Sequence, residues 1–186
     1  MSEATSDPMS LAAQISKKGL PPVHKWNPEF CGDIDIRIAR DGTWFYMGSP
    51  IGRQRLVRLF STVLRKDDDG EHYLVTPVEK LRIQVEDAPF LVVQVDEQGQ
   101  GEHQNLYFRT RTDDIILADA DHRIWVTFTD EGEPSPYIEV RDGLQGLIAR
   151  NVYYQLVELG TERVSETGQQ FGVWSAGEFF VLGDME

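Results

Sequence analysis

The sequence predicts an α+β protein of mainly antiparallel strands, in two β-rich units that share the order strand, hairpin, helix, strand. Three observations predict this class: short stretches in which apolar and polar residues alternate, turn signals between them, and two longer segments with apolar residues every three or four positions. A length of 186 residues suits one large domain or two small ones. The content of 40% hydrophobic and 26% charged residues is that of a globular protein.

An N-terminal arm is expected over residues 1–22, followed by a first unit over residues 23–80. Leu11 and Ile15 belong to a short amphipathic segment of the arm that ends at Gly19. This spacing predicts that the arm docks on the protein.

A hairpin is predicted at the start of the first unit. Apolar and polar residues alternate from Asp33 to Ile38, which is the period of a half-buried strand. The turn Asp41-Gly42 follows, and the run from Trp44 to Met47 is interpreted as the returning strand.

A helix is predicted next, from Ile51 to about Lys66. Ser49-Pro50 would start it, with Ser49 as the capping side chain and Pro50 at the first position, where no N–H donor is missed. Its buried stripe would contain Leu56, Phe60, Val63 and Leu64.

The second unit, expected over residues 81–186, is predicted to be rich in strands. Short apolar or alternating stretches separated by polar turns predict the strands: Tyr73–Val75 before the boundary, then Leu81–Val85, Phe90–Val95, Leu106–Phe108, Ile115–Leu117, Ile124–Phe128, Tyr137–Val140, Phe171–Trp174 and Phe179–Leu182.

A second helix is predicted over residues 143–159. Asp142 would cap it and Gly160 would end it. Its apolar stripe would contain Leu144, Ile148, Val152, Leu156 and Leu159. The shared order of elements predicts a duplicated motif with Trp44 and Trp125 at equivalent places, although convergent packing of hairpins and helices is an equally open explanation.

Charge is distributed unevenly along the chain, whose formal net charge is −13. Residues 1–66 carry an excess of four basic side chains, and residues 67–186 carry an excess of seventeen acidic ones. The overall acidity disfavours nucleic acid polymers as partners. The asymmetry leaves two interpretations open: the two parts dock through opposite charges, or the basic part binds an anion.

The expected location is the cytoplasm, without insertion into a membrane. Cys31 is the single cysteine, which favours a reducing compartment, and no apolar run approaches the roughly 20 residues that span a bilayer.

No catalytic or metal-binding constellation is apparent, so no cofactor is expected and catalysis is the less favoured interpretation. The four histidines have no histidine or cysteine neighbour at ligand spacing. Ser49 lies where a hydrolase nucleophile would, but Pro50 removes the N–H group that would build an oxyanion hole. The segment Gly99-Gln100-Gly101 is not followed by the third glycine of a dinucleotide-binding loop.

A basic cluster lies in the first predicted helix, whose outer face would carry Arg55, Arg58 and Arg65, with Arg53 and Lys66 flanking them. With the positive end of the helix dipole, the cluster would suit a phosphate or carboxylate. The alternative is a solvated face that pairs with the acidic second part.

One long stretch resembles a known family. Its segments are Leu20-Pro21-Pro22, Trp26, Cys31 to Asp35, Asp41 to Tyr46, Gly48 to Ile51, Leu56 to Phe60, Asp69-Gly70, Leu74 to Lys80, and Val85 to Phe90. They resemble the bacterial domain-of-unknown-function family 1285 over most of residues 20–95. The resemblance implies a two-part α+β fold with a duplicated core, a second domain similar to pleckstrin-homology folds, a nucleotide-like ligand between the domains, and a role in bacterial signalling.

The residues expected to bind this ligand are polar or amphipathic and lie in or beside the family segments: Trp44, Tyr46, Arg53, Glu79 and Lys80. The favoured function is thus a regulatory module that binds an anionic, nucleotide-like molecule between its two units. The first alternative is an interaction module that binds a protein or peptide and no small molecule. A further alternative is an undetected hydrolase or transferase.

Overall fold

The chain divides into two compact units, residues 1–87 and 88–186, in a computed structural model that describes residues 7–15 and 19–185. The division falls after residue 87 rather than at residue 80, because the strand Lys80–Val85 hydrogen-bonds within the first sheet. Residues 1–6 and 16–18 of the expected arm lie outside the described residues.

In the described residues of the first unit, there are a six-stranded sheet and two α-helices. Its helices are α1 (Pro8–Ala13) and α2 (Gln54–Ser61). Its strands are β1 (Phe30–Ile38), β2 (Trp44–Tyr46), β3 (Ser49–Pro50), β4 (Leu64–Lys66), β5 (His72–Val75) and β6 (Lys80–Val85).

In the described residues of the second unit, there are a six-stranded sheet, one α-helix and a three-stranded sheet. The six strands are β7 (Phe90–Gln98), β8 (Asn105–Thr110), β9 (Ile115–Leu117), β10 (Ile124–Phe128), β11 (Pro134–Arg141) and β12 (Leu144–Ile148). The later elements are α3 (Arg150–Glu158), β13 (Thr161–Ser165), β14 (Gly168–Ser175) and β15 (Glu178–Met185).

The two six-stranded sheets have the same strand order. In the first sheet, the antiparallel meanders β1-β2-β3 and β4-β5-β6 are joined by a parallel pairing of β1 with β6. In the second sheet, the meanders β7-β8-β9 and β10-β11-β12 are joined by a parallel pairing of β7 with β12. The other pairings are antiparallel, so the predicted α+β class and the repeated unit are confirmed.

The repeat does not place Trp44 and Trp125 at equivalent positions, so that prediction is wrong. Trp44 opens β2, which corresponds to β8, whereas Trp125 lies in β10, which corresponds to β4. The expected likeness of the second unit to pleckstrin-homology folds stays a prediction.

Both predicted helices are shorter than expected, because part of each predicted segment forms a strand. Ser49 and Pro50 form β3 against Tyr46 and Phe45, so they do not start α2, which is flanked by Arg53 and ends at Ser61. Leu64 pairs with Leu74 in β4 and is therefore not helical.

The second helix begins at Arg150 rather than near residue 143. Leu144 to Ile148 form β12 instead, and Asp142-Gly143 is the two-residue turn that joins β11 to it, with φ of 49° and 78°. Positive φ at both positions is the geometry of a type I′ hairpin, for which Asp-Gly is a preferred sequence. Val152 and Leu156 remain the buried face of α3, as predicted.

Each helix contributes an apolar face to the core of its own unit. Phe60 of α2 is fully buried and stacks on Trp44, with 6.3 Å between ring centroids. Leu11 and Ile15 are buried as expected, which confirms that the N-terminal segment docks on the protein. At about 25 cal/mol per Å² of apolar surface, such burial is the main stabilising contribution.

Candidate functional site

A groove of about 560 Å³ lies between α1 and α2 in the first unit. Met9, Ala12 and Ala13 line it from α1, where the spacing of three and four residues places them on one face. Leu56 and Leu59 line it from α2, one position before the buried residues Val57 and Phe60. The groove is therefore mostly apolar.

Two arginines, Arg53 and Arg55, also line this groove. Both are exposed, and neither side chain forms a hydrogen bond or an ion pair with any residue that the structure describes. By contrast, Arg65 and Arg82 of the same unit are paired with Asp67 and Asp33. The groove thus presents two uncompensated positive charges.

The position of these arginines at the start of α2 adds to the positive potential. Arg53 is the residue that flanks the first turn, and its side chain forms no capping hydrogen bond. The first turn contains no acidic residue that would neutralise the positive end of the helix dipole. An anion in the groove would therefore be attracted by both charges and by the helix end.

Trp44 and Tyr46, the expected aromatic wall, lie on β2. Trp44 is only 3% exposed and packs against Phe60 in the core, so almost none of its surface is accessible to a ligand. Tyr46 is half-buried and lies opposite Ile36 in the sheet. Neither residue lines the groove.

Glu79 and Lys80 interact within the first unit. Gln14, just beyond α1, donates a hydrogen bond from Nε2 to Oε2 of Glu79 at 2.8 Å and accepts one from Oγ1 of Thr76 at 2.7 Å. The Lys80 ammonium lies 2.5 Å from Oδ2 of Asp67. Of the five sequence candidates, only Arg53 lines the groove between α1 and α2.

Asp67 is the centre of a charge network that sequence reasoning missed. Burial would raise the pKa of its carboxyl group, but hydrogen bonds from Arg65 and Lys80 more than offset this and lower the pKa. Arg65, expected on the outer face of a helix, lies on β4 and also donates to the carbonyl oxygens of Val23 and Trp26, at 2.8 and 2.7 Å. These contacts hold the segment before β1 against β4.

Tyr73 lies beside this network. Its hydroxyl donates a hydrogen bond to Oδ2 of Asp69 at 2.5 Å, and this contact raises the pKa of Tyr73 to about 12. The Lys80 ammonium lies 4.3 Å from the centre of the Tyr73 ring. Because its pKa is raised, the Tyr73 hydroxyl keeps its proton at neutral pH. Its contacts therefore stabilise the sheet, and it is not suited to act as a general base.

Two further findings apply to residues 7–15 and 19–185. No group of three or more His, Cys, Asp or Glu side chains is arranged to hold a metal ion. No helix in these ranges is long and apolar enough to cross a membrane.

Comparison with known proteins finds matches to two family models and to solved structures. Residues 21–88 match the domain of unknown function DUF1285, N-terminal domain, and residues 89–182 match the protein of unknown function DUF1285, C-terminal domain. No curated protein matches the sequence.

Two solved structures are similar to the chain. One, a DUF1285 family protein from Silicibacter pomeroyi DSS-3, is 46% identical with a TM-score of 0.91, and the match covers 98% of this chain and 97% of that one. The other, a DUF1285 family protein from Shewanella baltica OS155, is 35% identical with a TM-score of 0.52, over 66% of this chain and 90% of that one. Together with the two models, these matches show that the chain belongs to the DUF1285 family.

Proposed function

We propose that this chain is a regulatory module that binds an anionic, nucleotide-like molecule in the groove between α1 and α2. The observation that carries the proposal is the pair of uncompensated arginines, Arg53 and Arg55, on an apolar groove. A protein with a formal net charge of −13 repels anions from most of its surface, so a local positive site is required for an anion to bind.

The phosphate and the base of a nucleotide match the charged and the apolar parts of the groove lining. Arg53 and Arg55 would hold the phosphate, because the guanidinium group donates paired hydrogen bonds to phosphate oxygens. Leu56 and Leu59 would contact the flat face of the base, with Ala12 and Ala13 opposite. Each charge-assisted hydrogen bond contributes about 1.5–3 kcal/mol, so the loss of one arginine would weaken binding by about tenfold or more.

Two of the other sequence candidates, Trp44 and Glu79, would act through the groove walls. Trp44 supports α2 through its contact with Phe60, and Glu79 holds the end of α1 through Gln14. The proposed site thus lies within the first unit and retains Arg53 as its ligand-binding residue.

The lining favours binding over catalysis. Among the described residues of the groove there is no Asp, Glu, His, Cys, Ser or Thr that could act as nucleophile or general base. A role in signalling is part of this proposal and rests on the family resemblance.

The test is calorimetric titration of the full chain with nucleoside mono-, di- and triphosphates and cyclic dinucleotides. Arg53→Ala should weaken binding by about tenfold or more. The matched control is Arg150→Ala, an exposed arginine at the start of α3 in the second unit, which should bind like the wild type.

Three outcomes would contradict the proposal: no binding by the wild type, equal binding by Arg53→Ala and the wild type, or tight binding of an acidic peptide with no response to nucleotides. Chromatography of the nucleotides after incubation distinguishes binding from turnover. Conversion of the nucleotide would favour the hydrolase or transferase alternative.

A further inference from the structure

A smaller pocket of about 210 Å³ lies within the second unit. It is formed by the helical turn Gly101–His103, the end of α3, and the strands β13 and β14. Ligand pockets for drug-sized molecules have volumes of roughly 300–1,000 Å³, so this pocket suits a molecule of about ten heavy atoms or fewer.

Arg163 provides the positive charge of this pocket. Its guanidinium carbon lies 4.2 Å from the centre of the Phe179 ring and 5.8 Å from that of Trp174. These cation–π contacts orient the guanidinium group. In the described part of the chain, no carboxylate forms an ion pair with it, so its planar set of N–H donors remains available for a carboxylate.

Glu102 and Glu162 line the same pocket. Neither has an ion-pair partner among the residues that the structure describes. Together with Arg163 they give the lining a net negative charge, which opposes a free anion. An ammonium group close to these carboxylates would offset that charge.

The remaining lining consists of apolar surface and one fixed amide. Leu159 and Trp174 supply the apolar surface. Gln104 is 4% exposed, and its Nε2 donates a hydrogen bond to the carbonyl oxygen of Trp174 at 2.9 Å. Because this bond holds the wall in place, the pocket is pre-organised for a ligand.

From these features we infer that the second unit binds a free α-amino acid with an apolar side chain. Its carboxylate would pair with Arg163, its ammonium group with Glu102, and its side chain would contact Leu159 and Trp174. Glu162 precedes Arg163 on β13 and projects from the other face of the sheet, so it would contribute only to the negative charge near the pocket. This site is independent of the groove between α1 and α2, because its residues all lie in the second unit.

The experiment uses the indole N–H signals of the full ¹⁵N-labelled chain, which has four tryptophans. The Trp174 signal, assigned with Trp174→Phe, should shift and saturate on titration with L-leucine. Two probes each lack one charged group of leucine: 3-methylbutylamine lacks the carboxylate, and 4-methylpentanoate lacks the amine. Each should bind about tenfold or more weakly, because one charged contact is missing.

Two variants test the contacts separately. Arg163→Lys keeps the charge but loses the planar donor set, and it should weaken leucine binding by about tenfold. Glu102→Gln combined with Glu162→Gln should weaken leucine binding and strengthen binding of 4-methylpentanoate. Arg53→Ala should leave the Trp174 response unchanged, which separates this inference from the proposed function.

The inference is wrong if no apolar amino acid shifts the Trp174 signal at about 10 mM, a concentration that would detect even millimolar affinity. It is also wrong if either half-molecule binds as tightly as leucine. Circular dichroism confirms the fold of each variant. If Arg163→Lys does not fold, the paired glutamate variant decides, and unchanged leucine binding by it overturns the inference.

Discussion

The two units build the same six-stranded sheet but place their helices differently. In the first unit α2 lies between the two meanders, in the connection from β3 to β4. In the second unit that connection, residues 118–123, contains no helix, and α3 follows the last strand and leads to a third sheet. The strand order is therefore independent of where the helix is inserted.

The two units also differ in the charge that their side chains carry. Residues 1–87 carry twelve basic and thirteen acidic side chains, whereas residues 88–186 carry six basic and eighteen acidic ones. A common strand order thus tolerates a nearly neutral and a strongly acidic surface. This is expected, because the buried faces of strands determine the fold and the exposed faces do not.

The largest expected effects test whether the last strands of the two sheets are equivalent. Ile83 of β6 and Ile148 of β12 are each 2% exposed. Replacement of either by alanine should lower the free energy of unfolding by about 2–5 kcal/mol, through lost burial and the cavity left behind. Urea denaturation measures both.

Ile115→Ala is the control, because Ile115 on β9 is 68% exposed and should change stability by less than about 0.5 kcal/mol. A similarly small loss of stability for only one of the two buried isoleucines would show that β6 and β12 are not equivalent.

An intermediate effect is expected in the third sheet, which has no counterpart among the described residues of the first unit. A Cβ atom on Gly172 of β14 would collide with the backbone carbonyl oxygen of Phe180, so the backbone would have to move. Gly172→Ala should therefore cost about 1–3 kcal/mol in thermal or urea unfolding.

Gly183 on the neighbouring strand β15 is the matched control, because a Cβ atom there meets no atom within 4 Å. Gly183→Ala should be nearly neutral. Equal losses for the two variants would contradict the assigned packing of this sheet.

The smallest expected effect is a pH dependence that distinguishes the two sheets. Burial, with the nearby charge of Lys66, lowers the pKa of His72 on β5 from its ordinary value of 6.5. The corresponding strand β11 contains no histidine. Because the unfolded chain binds the proton more readily, this contribution to stability is complete above pH 6.5 and is lost as the pH falls through the lowered pKa.

Urea unfolding at about pH 7.5 and about pH 5.5 measures this loss, which should be smaller in His72→Asn than in the wild type. Lys66→Gln removes the repulsion and should move the His72 titration, followed by NMR, to higher pH. A titration of His72 that Lys66→Gln leaves unchanged would exclude the repulsion as a cause.

Most strands could be predicted from the sequence, because their period is local. The alternation of Ile34, Ile36 and Ile38 with polar residues corresponds directly to β1, in which all three are buried. The same holds for Ile124–Phe128, which is the observed β10.

The helix starts could not be predicted from spacing alone. Leu144 and Ile148 are four residues apart, which fits one face of a helix and equally one face of a strand. The deciding signal is Asp142-Gly143, which is a preferred hairpin turn although Asp142 alone also suits a helix cap. Gly146 supports this, because it packs closely against side chains of Val92 and Val140, as a buried strand residue does.

The groove between α1 and α2 could be predicted only in part. The charge pattern singled out Arg53 and Arg55, but Met9, Ala12 and Ala13 approach them only through tertiary packing. Leu11 and Ile15 indicated that the arm docks, and nothing local indicated where. The charge network around Asp67 was missed for the same reason, since Lys80 is distant in the chain.

The parallel pair in the middle of each sheet has a consequence for synthesis of the chain. β1 and β7 each pair with the strand of their sheet that is translated last. The entropy of closing this loop must be lost before the central contacts form, so we expect slow folding in both units. During translation, the edge of β1 that pairs with β6 stays unpaired until β6 has been synthesised. As long as β6 has not paired, β12 is an alternative parallel partner for β1, because β12 pairs with β7 in the same way. Tandem repeats with such shared strand orders are prone to misassembly, so timely closure of the first sheet protects the second.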